Sequence, residues 1–167
     1  MADLGVQERL QPALLDRLVD DAPYQRRESD AERVLTQQAL RAAVLRDLSW
    51  LFNATNMGLD SKRHPNAAHS VLNYGLPALS GQFTTSLHRV GLKQALRNAI
   101  LQFEPRILPD TLEVELVMEG SVLDTHNCIG LQIRGMLWAQ PVPLEFLLRS
   151  RIDLEEGRIE IEDMGVH

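Results

Sequence analysis

Apolar residues recur at helical spacing in two long segments of the central chain. In the first segment they fall three or four residues apart and form one stripe, which comprises Leu40, Val44, Leu48, Leu51 and Phe52. The second segment covers about residues 86–102. Its apolar residues Leu92, Ala95, Leu96, Ala99 and Ile100 follow the same spacing, and Phe103 continues it. We predict two amphipathic helices with one buried face each. The first is expected to start near Ser29 or Asp30, either of which can cap it.

After the second helix the pattern changes from helical spacing to alternation. Residues 112–118, 129–137, 144–153 and 159–162 carry apolar residues at alternate positions. Such alternation predicts antiparallel strands with one buried face, and residues 154–157 predict a hairpin turn between the last two. Arg149 and Arg151 would then face Glu160 and Glu162. The expected fold is α+β, with N-terminal helices packed on one face of a C-terminal antiparallel sheet of about four strands.

Residues 1–33 differ from the rest and predict a separate N-terminal arm, followed by one domain over residues 34–167. In the arm, Leu14, Leu15 and Leu18 form a short apolar face, which fits a helix of about two turns with Pro12 in its first turn. Residues 22–30 are polar and charged, as is typical of a linker. The arm either docks on a neighbour or on its own domain, or it is a frayed terminus.

The tetrapeptide Phe103-Glu104-Pro105-Arg106 lies where helical spacing gives way to alternation. Proline disfavours the α conformation for the residue before it, so the second helix should end near Phe103. In an extended segment, Glu104 and Arg106 would share one face. Two interpretations follow, namely a charged pair presented to a partner, or a local clamp that holds the junction.

Composition narrows the possible partners. The net charge of −6 argues against nucleic-acid binding through bulk charge, and a single cysteine, Cys128, excludes an internal disulfide. No stretch has the apolar length of a membrane helix, and the acidic Asp3 and Glu8 interrupt any signal-peptide core. We expect a soluble cytoplasmic protein.

The sequence contains no strong metal or cofactor signal. His64 and His69 lie five residues apart, which places them on different faces of a helix, and no cysteine or third histidine lies nearby. There is no glycine-rich phosphate loop and no nucleophile with a base at a known spacing. We therefore predict no metal site and no cofactor.

A hydrolase is the alternative that the acidic residues leave open. Glu104, Asp110, Glu113 and Glu115 cluster in the sequence, and glycoside hydrolysis needs two carboxyl groups. However, strand alternation exposes Glu113 and Glu115 to water, and a guanidinium beside Glu104 favours its charged form over the acid form. We predict no catalytic residues, with a peptidoglycan-cleaving glycoside hydrolase as the alternative function.

Five sequence blocks, in order, carry a resemblance to a known family. They are residues 14–18 (LLDRL), 45–53 (LRDLSWLFN), 70–77 (SVLNYGLP), 103–106 (FEPR) and 141–143 (PVP). Together they resemble the TssE family, the baseplate wedge subunits of bacterial type VI secretion systems. That family is related to the small phage-tail wedge proteins often labelled lysozyme-like.

The resemblance implies a noncatalytic structural subunit of a contractile injection machine. It implies TssF, TssG and TssK as wedge partners and TssB and TssC as sheath partners, without nucleic acid or membrane insertion, at the cytoplasmic face of the inner membrane. Glu104, Pro105 and Arg106 match the family block that docks on the core bundle of the wedge. An edge of the sheet is implied to start sheath polymerisation by strand addition.

Overall fold

The computed structural model describes residues 13–18, 24, 36–78, 86–117, 128–153 and 156–163. Its α-helices are α1 (Leu14–Leu18), α2 (Gln37–Asn53), α3 (Pro65–Ala68) and α4 (Ser86–Phe103). Single 3-10 turns occupy Val71–Asn73 and Pro109–Thr111. The strands are β1 (Glu113–Val117), β2 (Cys128–Leu137), β3 (Leu144–Asp153) and β4 (Ile159–Asp163). The predicted α+β class is confirmed.

Helix α2 begins later than the sequence pattern predicts. Thr36 has extended backbone angles, φ −72° and ψ 157°, and its hydroxyl accepts a 3.1 Å hydrogen bond from the Ala39 amide. A capping side chain of this kind satisfies one of the free amides of the first helical turn. The predicted start at Ser29 or Asp30 was therefore wrong for this helix, and those two residues lie outside the described part of the chain.

The loop between α2 and α4 is closed by backbone pairing. The Leu76 amide donates to the Ala54 carbonyl at 2.8 Å, and the Asn56 amide donates to the Leu76 carbonyl at 2.9 Å. Gly75 permits this approach, because its φ is +112° and a Cβ there would lie 2.3 Å from the Ala54 oxygen. Leu76 is thereby held in the core.

The four strands form one antiparallel meander in the order β1-β2-β3-β4. The register pairs Arg149 with Glu162 and Arg151 with Glu160, which confirms the predicted alignment of the last hairpin. Strands β1 and β4 are the two edges, and each has five residues against ten in the central strands.

One core lies between the helices and the inner face of the sheet. Helix α2 packs over β4 and helix α4 packs over β1, so the domain has two layers. The predicted stripe of α2 is buried throughout, as are Leu92, Leu96, Ala99 and Ile100 of α4. From the sheet, the alternating residues Val114, Ile129, Leu131, Ile133, Phe146, Leu148, Ile152 and Ile159 complete the core. No helix among the described residues is long and apolar enough to cross a membrane.

Candidate protein-docking site

The junction between α4 and the sheet is a tight turn. Helix α4 ends at Phe103, as predicted from Pro105. The Ile107 amide then donates to the Glu104 carbonyl at 3.2 Å, which closes a turn with Pro105 at its second position. The expectation of an extended segment was wrong, because proline also suits this turn position and the hydrogen bond reverses the chain.

The turn brings Glu104 and Arg106 together as a bidentate ion pair. Arg106 Nε donates to Glu104 Oε1 at 2.6 Å, and Arg106 Nη2 donates to Glu104 Oε2 at 2.5 Å. The Arg106 backbone amide adds a third bond to Oε1 at 3.2 Å. Glu104 is only 3% exposed and is the buried charged residue of the described core. Of the two interpretations from the sequence, the local clamp describes the observed geometry.

A second carboxylate extends the clamp to helix α2. Asp47 Oδ2 accepts a 2.5 Å bond from Arg106 Nη2, and Asp47 Oδ1 accepts bonds from Arg46 at 2.9 and 3.0 Å. Arg46 Nη1 in turn donates to Asp16 of α1 at 2.5 Å. Carboxylates and guanidiniums thus alternate from the junction, across α2, to the N-terminal arm.

The charged forms of both arginines are stabilised by this network. Burial alone would lower the pKa of Arg106, but hydrogen bonds and charge from Glu104, followed by those from Asp47, outweigh it and raise the pKa. The pKa of Arg46 is raised chiefly by its hydrogen bond with Asp16, against the opposing effect of burial. Both guanidiniums therefore stay protonated near neutral pH, and neither can act as a general acid there.

A groove of about 390 Å³ opens beside the junction. It is lined by Ala13, Asp47, Leu48, Trp50, Leu51, Tyr74, Phe103, Glu104, Pro105 and Arg106. Trp50 is half exposed, and Arg46 lies 5.2 Å from the centre of its ring, within the range of a cation–π contact. Tyr74 meets Phe103 edge to face, with ring centres 5.2 Å apart. The pKa of Tyr74 is raised by burial and then by the negative charges of Asp47 and Glu104.

The three predicted site residues occupy different depths in this groove. Glu104 is buried, Pro105 is exposed, and the Arg106 side chain keeps 22% of its surface accessible. Within the described part of the chain, Arg106 Nη1 makes no hydrogen bond, while Nε and Nη2 are both used. Pro105 and one end of the Arg106 guanidinium are therefore the parts of the tetrapeptide that are free for a partner.

Sequence reasoning missed four members of the site, namely Arg46, Asp47, Trp50 and Tyr74. None of them lies within 25 residues of the junction in sequence, so periodicity gives no hint of the contact. A signal did exist in the blocks that carry the family resemblance. Blocks 45–53 and 70–77 supply these residues, and the fold brings both blocks against the 103–106 block.

The described acidic and imidazole groups do not form a catalytic or metal-binding arrangement. Both carboxylates at the junction are held by arginines, whereas Glu113 and Glu115 are exposed on the outer face of β1. His64 and His69 are also exposed, and the described residues contain no group of three potential metal ligands. The geometry gives no support to the hydrolase alternative.

Fold and site together define a small α+β domain with an aromatic and charged groove beside the junction of α4 and the sheet. The chain belongs to the family described as baseplate wedge protein gp25, whose family model matches residues 38–142. The matched range contains Asp47, Trp50, Tyr74 and the whole junction. This confirms the resemblance to baseplate wedge proteins. No curated protein and no solved structure matches the chain.

Proposed function

We propose that this chain is a noncatalytic subunit of a type VI secretion baseplate that joins the wedge complex to the contractile sheath. Membership of the baseplate wedge family supports the structural role. The TssE-like blocks support the type VI setting, with TssF, TssG and TssK in the wedge and TssB and TssC in the sheath. The site of action would be the cytoplasmic face of the inner membrane.

One observation carries the proposal that this chain docks on the wedge. Three of the blocks that resemble the TssE family, residues 45–53, 70–77 and 103–106, line one groove. Trp50 and Pro105 are exposed at this groove, and Arg106 Nη1 is unused by the described residues. Tryptophan and arginine are among the residue types that contribute most of the binding energy in protein interfaces. A groove with these side chains suits a helical bundle better than a small charged ligand, because its charges are already neutralised by one another.

Within this site the side chains have separate roles. Trp50, Pro105 and Arg106 contact the wedge bundle. Glu104 and Asp47 act as positioning residues, since they hold the Arg106 guanidinium from two sides and fix its orientation. A lysine at position 106 would keep the charge but lose the bidentate fork.

Pull-down of a TssF–TssG complex by purified variants tests the assignment. Trp50→Ala should weaken binding about 30-fold, because a central aromatic anchor contributes about 2 kcal/mol. Pro105→Ala should weaken binding less. Arg106→Lys should also weaken it, because lysine cannot make the bidentate hydrogen bonds of the guanidinium. The melting temperature of each variant reports whether the fold is retained.

Val90→Ala provides a matched control for the docking surface. Val90 is 69% exposed and lies on the same helix as Phe103, but about 20 Å away at 1.5 Å per residue. It should bind the TssF–TssG complex as wild type does. If folded Trp50→Ala, Pro105→Ala and Arg106→Lys all bind like Val90→Ala, the groove is not the wedge-docking site.

A further inference from the structure

The two edge strands of the sheet differ in how much of their backbone is already used. In an antiparallel ladder, alternate residues of an edge strand point their N–H and C=O groups away from the sheet. The Asp153 amide bonds the Arg158 carbonyl, so on β4 the backbone N–H and C=O groups of Ile159, Ile161 and Asp163 point away from the sheet. On β1, the corresponding outward residues are Val114 and Leu116.

At the start of β4, one side chain makes the hydrogen bonds that a neighbouring strand would make. Asn53, the last residue of α2, donates from Nδ2 to the Ile159 carbonyl at 2.9 Å. Its Oδ1 accepts from the Ile159 amide at 3.0 Å. The amide of one asparagine therefore occupies both backbone positions that an incoming strand would need at Ile159.

The helices also cap strand carbonyls at two other places. Arg41 of α2 donates to the Glu145 carbonyl at 2.6 Å, on the side of β3 that faces β4. Arg97 of α4 donates to the Leu112 carbonyl just before β1. Beyond Leu112, the outward groups of Val114 and Leu116 have no hydrogen-bond partner among the described residues. On β4, the outward groups of Ile161 and Asp163 are likewise unpartnered among these residues, but Ile159 is closed. Within the strands, β1 is therefore open at each of its outward positions, whereas β4 is closed at one of three.

The two edge strands also differ in how the charges of their acidic residues are compensated. On β4, Glu160 and Glu162 lie opposite Arg151 and Arg149 of the neighbouring strand. On β1, Glu115 lies opposite the uncharged Gln132, and Glu113 lies opposite Arg134, which bonds Glu145 at 3.2 Å. In the described part of the chain, Glu113 and Glu115 form no ion pair. They favour an incoming strand with basic residues, since opposite charges across a ladder attract.

We propose that β1, and not β4, is the edge that accepts a strand from the sheath. The added strand is an extended segment that pairs with Val114 and Leu116 and places lysine or arginine opposite Glu113 and Glu115. Asn53 closes the first outward position of β4, and the acidic residues of β4 already face arginines. This inference rests on the proposed function as a link to the sheath, and it specifies which edge forms that link.

Two matched proline variants test the assignment. Leu116→Pro and Ile161→Pro each remove one outward N–H while leaving the inward ladder bonds intact, which is where edge strands tolerate proline. Both side chains are partly buried against the same core, so the packing loss is comparable. Binding to a purified TssB–TssC sheath complex should fall about tenfold or more for Leu116→Pro, through a lost hydrogen bond and a blocked approach. Ile161→Pro should bind as wild type does.

Hydrogen exchange on the wild-type chain tests the same edge without mutation. The amides of Val114 and Leu116 should exchange more slowly once the sheath complex is added, and the amide of Ile161 should not change. Protection at Ile161 instead, or loss of binding only in Ile161→Pro, overturns the β1 assignment while leaving the link to the sheath intact. A wild-type chain that binds no sheath complex overturns both.

Discussion

The junction and the outer face of the sheet use the same residue types in very different surroundings. At the junction, Glu104 is 3% exposed and its bonds to the Arg106 guanidinium are 2.5 to 2.6 Å long. On the sheet, the side chains of Arg134 and Glu145 are 61% and 40% exposed and meet at 3.2 Å. Both are arginine–carboxylate pairs, so sequence alone gives them equal weight.

The difference shows that burial determines how much stability is lost when an ion pair is broken. An exposed pair gains little, because water screens both charges and two long side chains lose freedom. A buried pair has already lost its hydration, so removing one partner leaves an uncompensated charge in the core. The junction pair is therefore costly to break, although the intact pair adds little net stability. Its value lies in fixing the orientation of Arg106 at the groove.

Arg106→Ala should give the largest effect. The carboxylate of Glu104 would remain buried without its bidentate partner, and we expect the free energy of unfolding to fall by about 3–5 kcal/mol. Urea denaturation followed by circular dichroism measures this directly. A loss below about 1 kcal/mol would place the junction pair in the same class as exposed pairs.

The double variant Glu104→Leu with Arg106→Met separates stability from docking. With both charges replaced by apolar groups, most of the lost stability should return, because no buried charge is left unpaired. Binding to TssF–TssG should nevertheless stay weak, since the guanidinium at the groove is missing. Recovery of both properties would show that the pair serves only the fold.

The fold was largely predictable because its layers follow strict periodicity. The stripe of α2 and the alternation in all four strands place their apolar residues in the core, and the meander follows from short connections between strands. The start of α2 was not predictable, because Thr36, Ser29 and Asp30 are all suitable caps. The capping geometry of Thr36 is settled only by the conformation of the backbone around it.

The site was predictable only in its local part. Proximity of Glu104 and Arg106 follows from their separation by one residue, whatever the conformation between them. Asp47 is 59 residues from Arg106, and its contact depends on how α2 crosses the end of α4. The sequence likewise cannot show that Asn53 closes the start of β4 at Ile159, since that contact spans 106 residues.

Asp47→Ala should have an intermediate effect on stability. Asp47 links two arginines and its side chain is 26% exposed, so its removal costs charged hydrogen bonds but leaves Glu104 paired. We expect a loss of about 1–3 kcal/mol in urea denaturation. Docking to TssF–TssG should weaken as well, because Arg106 loses its second support. A stability loss as large as that of Arg106→Ala would mean that Asp47, and not Glu104, dominates the network.

Arg134→Ala and Glu145→Ala should have the smallest effect on stability, because they break the exposed ion pair and not the buried one. A double-mutant cycle on these two positions should give a coupling energy of no more than about 1 kcal/mol, because both side chains are solvated. The bond from the Arg41 guanidinium to the backbone carbonyl of residue 145 is kept in both variants, so the cycle isolates the side-chain pair. The coupling should shrink further in 1 M salt, where exposed charges are screened, whereas the loss caused by Arg106→Ala should persist. A coupling that exceeds 1 kcal/mol and resists salt would contradict the view that burial separates the two regions.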